Sequence, residues 1–269
     1  MARANEARRG YVACGAVIDL HTHILPGIDD GAASMQDSVR MAREAWESGV
    51  RQIVATPHVR LDYPTTAEQI EAGVDQLRRA LAEEDVPVVL HAGAEVDVHH
   101  AATLQPAELR RLTLGQQRRY LLLEVPYEGS PEPLEAVALR LRRHAIVPVL
   151  AHPERSAAFI EGPRYLLELV AAGCLVQVTS GSLVGDAGRR VRRTAQQLLE
   201  LGIVHVLASD AHGAEIPRSG LGAAAGELEP ALAAYLTRET PAAILAGGEV
   251  GDPPEADRQR WWRQAAVRR

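Results

Sequence analysis

Lysine is absent from this chain: all 29 basic residues are arginine, a pattern we read as codon usage in a GC-rich genome rather than as chemistry. Cysteine is nearly absent. The two present, Cys14 and Cys174, stand in neither a C-x-x-C pair nor a zinc-ribbon spacing, which speaks against a disulfide framework and fits a reducing cytoplasm. Neither is followed by arginine six positions on, so thiol-phosphatase chemistry of the C-x5-R kind has no support. A single phenylalanine, Phe159, leaves the core to Leu, Val, Ile and Ala. The formal charge of −6 argues against nucleic acid as a partner. No apolar run approaches the ~18 residues of a membrane span. The stretch MARANEARRGYVACGAV lacks the long apolar segment of a secretory signal.

What is present is a regular alternation. With 46% apolar residues among 269, the chain has enough for one large barrel domain. Residues 1–15 are polar and aperiodic and read as a flexible extension. Seven strands are then predicted, at AVIDL, RQIVAT, VPVVLHAGAEV, RYLLLEV, AIVPVLAH, CLVQVTS and IVHVLASDAH. They are short and nearly all apolar, as expected when helices cover both faces of a sheet. Helical patterns separate most of them. One is capped by Ser34 and ended by Gly49, and another opens with Thr66 and Gln69 in capping-box spacing. A less regular stretch, about 99–118, holds a short helix at most, and helical patterns recur near 219–236 and 240–247. Successive β-α units predict an α/β protein with a parallel sheet. No G-x-G-x-x-G follows the first strand, which favours a closed or nearly closed barrel over a doubly wound sheet. We place the barrel at 16–249. The remainder, 250–269, carries five arginines around Trp261 and Trp262. We read it as a tail docking on the barrel or on a partner subunit of a homo-oligomer, with an anionic surface as the alternative.

Six of the seven predicted strands deliver a histidine or an acid at their C-terminal ends: His21 and His23, His58, Glu95, Glu124, His152, then Asp210 and His212. In a parallel barrel those ends share one rim, where active sites sit. A nitrogen-and-oxygen donor set without thiolate suits Mn, Fe or Zn. There are more donors than one ion needs, so two or three ions fit, and they would offset the repulsion among crowded carboxylates. The reaction such a site performs best is hydrolysis of an anionic ester, above all a phosphate ester, by a metal-activated hydroxide.

The motifs DLHTHILPGIDDG, ATPH, GAE, AHPER and HVLASDAH, in this order, resemble the PHP (polymerase and histidinol phosphatase) superfamily. Within it they are most similar to the CpsB/YwqE-type bacterial manganese-dependent protein-tyrosine phosphatases of capsule and exopolysaccharide loci. The resemblance spans about residues 17–247. It implies a distorted (β/α)7 TIM-like barrel holding three divalent metal ions, Mn foremost. Carried over by position, it puts His21, His23, Glu95 and Asp210 around one ion. Glu95 bridges to a second, shared with Glu124 and His152, and Asp30, His58 and His212 hold the third. Asp29 is then a loop-shaping residue. Arg155 matches an arginine that grips the phosphate. Arg218 is the candidate for a second, one residue further along than the family pattern places it. The resemblance also implies a phosphotyrosine protein substrate, the tail of a bacterial tyrosine kinase controlling polysaccharide export. His58 is a candidate proton donor to the departing phenolate.

The other histidines read differently. His99 and His100 are expected at the rim or in a loop, His91 and His144 at the surface, and His205 on the strand face pointing away from Asp210. Asp19 is expected to orient a metal-binding histidine. Two other functions stay open at this point. One is a different phosphoesterase of the same superfamily, acting on histidinol phosphate or nucleotides. The other is a non-catalytic, metal-stabilised binding barrel.

Overall fold

A computed structural model describes residues 16–128, 132–213 and 220–254. The N-terminal extension with Cys14, the tryptophans of the tail, and Arg218 lie outside these residues. Nine strand segments form the barrel wall: β1 (Val17–Thr22), β2 (Val50–Ala55), β3 (His58–Val59), β4 (Val89–Ala92), β5 (Glu95–Asp97), β6 (Tyr120–Glu124), β7 (Val147–Ala151), β8 (Leu175–Thr179) and β9 (Val206–Ala208). Helix α1 (Met35–Glu47) follows β1, α2 (Ala67–Glu83) follows β3, and α3 (Glu132–Arg143) follows β6. Helices α4 (Arg164–Ala171) and α5 (Arg189–Glu200) follow β7 and β8. All strand pairs are parallel, in the orders β1-β2-β4 and β3-β5-β6-β7-β8-β9.

The caps form as the sequence predicts. The Ser34 hydroxyl accepts the Asp37 amide, and Thr66 and Gln69 make a reciprocal capping box. The nine segments map onto the seven predicted strands because two of those strands are broken. The second breaks at Thr56–Pro57, where proline has no N–H for the ladder. The third breaks at Gly93–Ala94; a Cβ on Gly93 would lie 2.8 Å from Val54 Cγ1, so only glycine allows this approach. Past the breaks, β3 and β5 pair in a new register that sets His58 directly opposite Glu95. The circle closes between β9 and β1 through loop residues rather than a ladder. Thr22 bridges Ala211, the Asp210 amide donates to His21 O at 2.9 Å, and the His23 amide donates to Ala211 O at 2.9 Å.

Two regions differ from expectation. The stretch near 99–118 holds two short helices, Val98–Thr103 and Pro106–Arg111. The helix expected at 219–236 is interrupted after Ala225, and its second part, from Pro230, runs on to Leu245 through a wide π turn at Tyr235–Glu239. Pro241, next to that turn, has no amide to donate back into the helix.

The barrel interior is packed by Ile18, Leu20, Val54, Leu114, Tyr120, Leu122, Val149, Ala151, Val206 and Ala208. The strand period of two that points Tyr120 and Leu122 inward also points Glu124 inward, at the open end. His205 lies on the opposite face from Val206, as its parity predicts. Its Nδ1 accepts the Val176 amide at 3.1 Å, so the ring must be neutral, and burial lowers its pKa to about 4. The unfolded chain takes up this proton near pH 6.5 and the native protein does not. The resulting destabilisation is absent above pH 6.5, grows as pH falls, and saturates below about pH 4. The stability difference between wild type and His205→Gln is therefore expected to shift in favour of the variant by on the order of 3 kcal/mol between pH 7 and pH 4. Denaturant titration of both proteins across this range measures it.

Candidate metal centre

The first motif folds back on itself. After β1 the chain turns so that Gly31 packs against His23, where an added Cβ would stand 2.0 Å from the His23 carbonyl oxygen. Asp29 pins this turn. One carboxylate oxygen accepts the Gly31 amide at 3.0 Å; the other meets His23 Nδ1 at 2.7 Å and accepts the His58 amide at 2.9 Å. Asp29 thus shapes the loop, as expected, and also fixes the ring of His23 with Nε2 facing inward.

Four donor atoms meet inside the rim. His21 Nε2 lies 3.2 Å from His23 Nε2, 3.4 Å from Glu95 Oε2 and 3.3 Å from Asp210 Oδ1. His23 Nε2 lies 3.5 Å from Glu95 Oε2 and 3.4 Å from Asp210 Oδ1. A tetrahedral cation with N and O donors at about 2.0–2.1 Å holds them about 3.3–3.4 Å apart, so the spacing is that of a metal site. All four residues are buried.

A second group adjoins the first through Glu95. His58 Nδ1 lies 3.0 Å from Glu95 Oε2 and 3.6 Å from Glu124 Oε2, and all three atoms are buried without a hydrogen-bond partner among the described residues. Buried polar atoms left unsatisfied are costly, and a cation between them removes that cost. His152 Nε2 meets the other Glu95 oxygen at 2.8 Å. In this structure Glu124 is therefore grouped with His58, whereas the family pattern pairs it with His152. Asp30 Oδ1 lies 3.5 Å from both His58 Nε2 and His212 Nε2, and these three with His23 form a further donor group at the solvent edge. Every residue that the motifs nominated as a ligand thus lies in this one cluster.

Charge and backbone fit the same reading. Burial opposes the charge on His23, yet hydrogen bonds to Asp210 and Asp29 outweigh it and raise the pKa to about 10. Burial likewise raises Glu95 and Asp210, but the surrounding histidines hold both below the ordinary carboxylate range. Glu124 is pushed up by burial and by Glu95. His152 and Asp210 have φ of 35° and 55°, in the left-handed region that is rare outside glycine.

Arg155 lies at the mouth. Its Nη1 bonds Asp210 Oδ2 at 2.7 Å, and its Nε lies 3.4 Å from Ser182 Oγ. Arg60, which the motifs did not nominate, bonds Glu124 Oε1 at 3.1 Å. Cys174 is buried, and burial lifts its thiol to about 11, so it offers no thiolate. His99 is exposed and His91, His100 and His144 are partly exposed, all outside the donor groups.

Two orienting residues differ from expectation. Asp19 does not reach an imidazole; its Oδ1 accepts the backbone amides of His21 at 3.3 Å and Ser209 at 3.0 Å. A short side chain two residues before His21 meets the nearby amide first. The ring of His21 is held instead by Gln177, whose Oε1 lies 3.0 Å from Nδ1 and also accepts the His152 amide at 3.3 Å. The available signal was a lone amide in the mostly apolar strand CLVQVTS, which the structure buries fully. Gln177→Leu is expected to weaken metal binding about 10- to 100-fold while the barrel still folds. Metal titration against a competing chelator, with circular dichroism as the folding control, measures the change.

The fold and the donor cluster together define a metal-binding β/α barrel with its centre at the C-terminal ends of the strands. Within that class, the chain belongs to the family described as capsular polysaccharide synthesis, CpsB/CapC, whose sequence profile matches residues 17–234. It is 37% identical over 197 residues to the tyrosine-protein phosphatase YwqE of Bacillus subtilis, covering 73% of this chain and 77% of that protein. It is 30% identical over 202 residues to the tyrosine-protein phosphatase CpsB of Streptococcus pneumoniae, covering 73% and 83%. Among solved structures, it matches one from a study of YwqE from Bacillus subtilis and CpsB from Streptococcus pneumoniae, described as unique metal-dependent tyrosine phosphatases. That match has a TM-score of 0.77 and 31% identity, and covers 88% of this chain and 97% of the other. The resemblance drawn from the motifs is borne out, as is the barrel fold.

Proposed function

We propose that this chain is a metal-dependent protein-tyrosine phosphatase, with His21, His23, Asp30, His58, Glu95, Glu124, His152, Asp210 and His212 holding three divalent ions, Mn foremost. The observation that carries the reading is the convergence of His21 Nε2 and His23 Nε2, 3.2 Å apart, on Glu95 Oε2 and Asp210 Oδ1 at 3.3–3.5 Å, with Glu95 Oε2, His58 Nδ1 and Glu124 Oε2 buried and without a hydrogen-bond partner among the described residues. When bound, the ions supply Lewis-acid charge to the phosphoryl group and water of lowered pKa.

The protein's own groups do the rest. Arg155 binds phosphoryl oxygens and offsets their charge, and Arg218, six positions after His212 in the sequence, is assigned the same task. Asp210 holds Arg155 in place, and Asp29 and Gln177 hold the histidine rings. The departing phenolate has a pKa of ~10, so it needs little protonation, and His58 or solvent meets that need. A tyrosine phosphate therefore suits this site better than a serine phosphate. The remainder of the reading is a catalytic barrel at 16–249 working in the cytoplasm. Its phosphoprotein is the tail of a bacterial tyrosine kinase that governs capsular or exopolysaccharide synthesis. No helix among the described residues is long and apolar enough to cross a membrane.

Protein purified without chelator is expected to carry metal and to hydrolyse a phosphotyrosine peptide in Mn. Excess EDTA should abolish the activity and Mn restore it. Inactivity in Mn, or faster turnover of histidinol phosphate or a dinucleotide than of the peptide, overturns the reading.

A further inference from the structure

Tyr127 is a residue at the mouth of the centre that the mechanism above does not use. It follows β6 by three positions and is 45% exposed. Its ring nevertheless lies nearly parallel to the buried imidazole of His152, with centroids 5.4 Å apart and planes 19° apart. The Arg155 guanidinium lies near its hydroxyl. Its carbonyl accepts the Ala157 amide at 2.9 Å, which ties the loop after β6 to the segment carrying Arg155. The ring is thus held by its face and its backbone, while much of its surface faces water.

A rigid aromatic body beside a phosphate-binding guanidinium is suited to a ligand in which a ring is joined to a phosphate. A phosphate held on Arg155 brings the ring it carries to the side of the mouth where Tyr127 stands. Offset or edge-on ring pairs form at centroid separations of ~4.5–7 Å, and they add to the gain from burying apolar surface. An alkyl phosphate offers no ring and loses both contributions.

We propose that Tyr127 is the wall against which the aryl leaving group packs, and that it makes the site select aryl over alkyl phosphate monoesters. This rests on the phosphatase reading above. Tyr127 acts on specificity; the reacting atoms are held by the groups already named.

The test is calorimetric binding of phenylphosphonate and methylphosphonate, which cannot be hydrolysed, to the metal-loaded protein. The wild type is expected to prefer phenylphosphonate by about tenfold or more. Tyr127→Ala and Tyr127→Leu should bring the preference to within about threefold of unity, and Tyr127→Phe should keep it. The leucine variant preserves bulk and guards against collapse of the loop. A flat ratio in the wild type overturns the proposal. So does a ratio unchanged in the alanine and leucine variants, or one lost as fully in the phenylalanine variant. Turnover of a phosphotyrosine peptide by the same wild-type preparation tests the parent reading separately. Turnover with a flat phosphonate ratio removes the role of Tyr127 alone. A steep ratio without turnover removes the phosphatase and leaves the aryl wall.

Discussion

Asp210→Ala is expected to lower turnover of a phosphotyrosine peptide by at least about 10³-fold and to leave the protein short of bound metal. The size follows from what one side chain does. Its Oδ1 belongs to the four-donor group, 3.3 Å from His21 Nε2 and 3.4 Å from His23 Nε2, and its Oδ2 holds Arg155 at 2.7 Å. Alanine removes a ligand and releases the arginine together. Loss of several kcal/mol of charge stabilisation corresponds to three or more powers of ten in rate. Elemental analysis of protein prepared without chelator, together with kcat, measures both effects. Metal content and activity at the wild-type level would remove Asp210 from the centre. His23→Ala is the companion variant: it leaves Arg155 on Asp210, so a smaller loss there would isolate the part due to the arginine.

Eight of the nine proposed ligands were legible in the sequence because they close apolar runs in short motifs; Asp30 entered only through the family resemblance. A strand buried on both faces has no reason to finish on His58, Glu95 or Glu124 unless those side chains are used. The barrel was legible for a related reason, since strand and helix periods alternate along most of the chain. The breaks at Thr56–Pro57 and Gly93–Ala94 were not, although they matter most to geometry: the register that sets His58 opposite Glu95 begins only past them. An apolar run gives no sign of where a ladder changes partners. Gln177 was not legible because its contact to His21 spans 156 positions and nothing local to its apolar strand points to that partner. Asp29 illustrates the converse. The doubled aspartate before Gly31 suggested one ligand and one loop residue, yet the carboxylate of Asp29 also orients the ring of His23. Local pattern nominates residue types, and long-range packing decides which atoms face each other.

Arg155 carries the second large effect. Arg155→Ala is expected to reduce kcat for a phosphotyrosine peptide about 10²- to 10³-fold, the usual cost of removing one preorganised donor from a developing oxyanion. Metal content should stay near the wild-type level, because every nominated donor atom remains. This separates Arg155 from Asp210, which bonds directly to it. The lysine variant sharpens the test. Lysine restores a positive charge but not the planar fork that can bond one carboxylate and one phosphate together, so Arg155→Lys should recover only part of the loss. If charge alone mattered, lysine would restore nearly all of it. If Arg155 served only to brace Asp210, both variants would lose metal and activity in parallel. Loss of kcat at constant metal content is the outcome that assigns the guanidinium to the phosphoryl group. Wild-type kcat in Arg155→Ala would return it to a structural ion pair with Asp210.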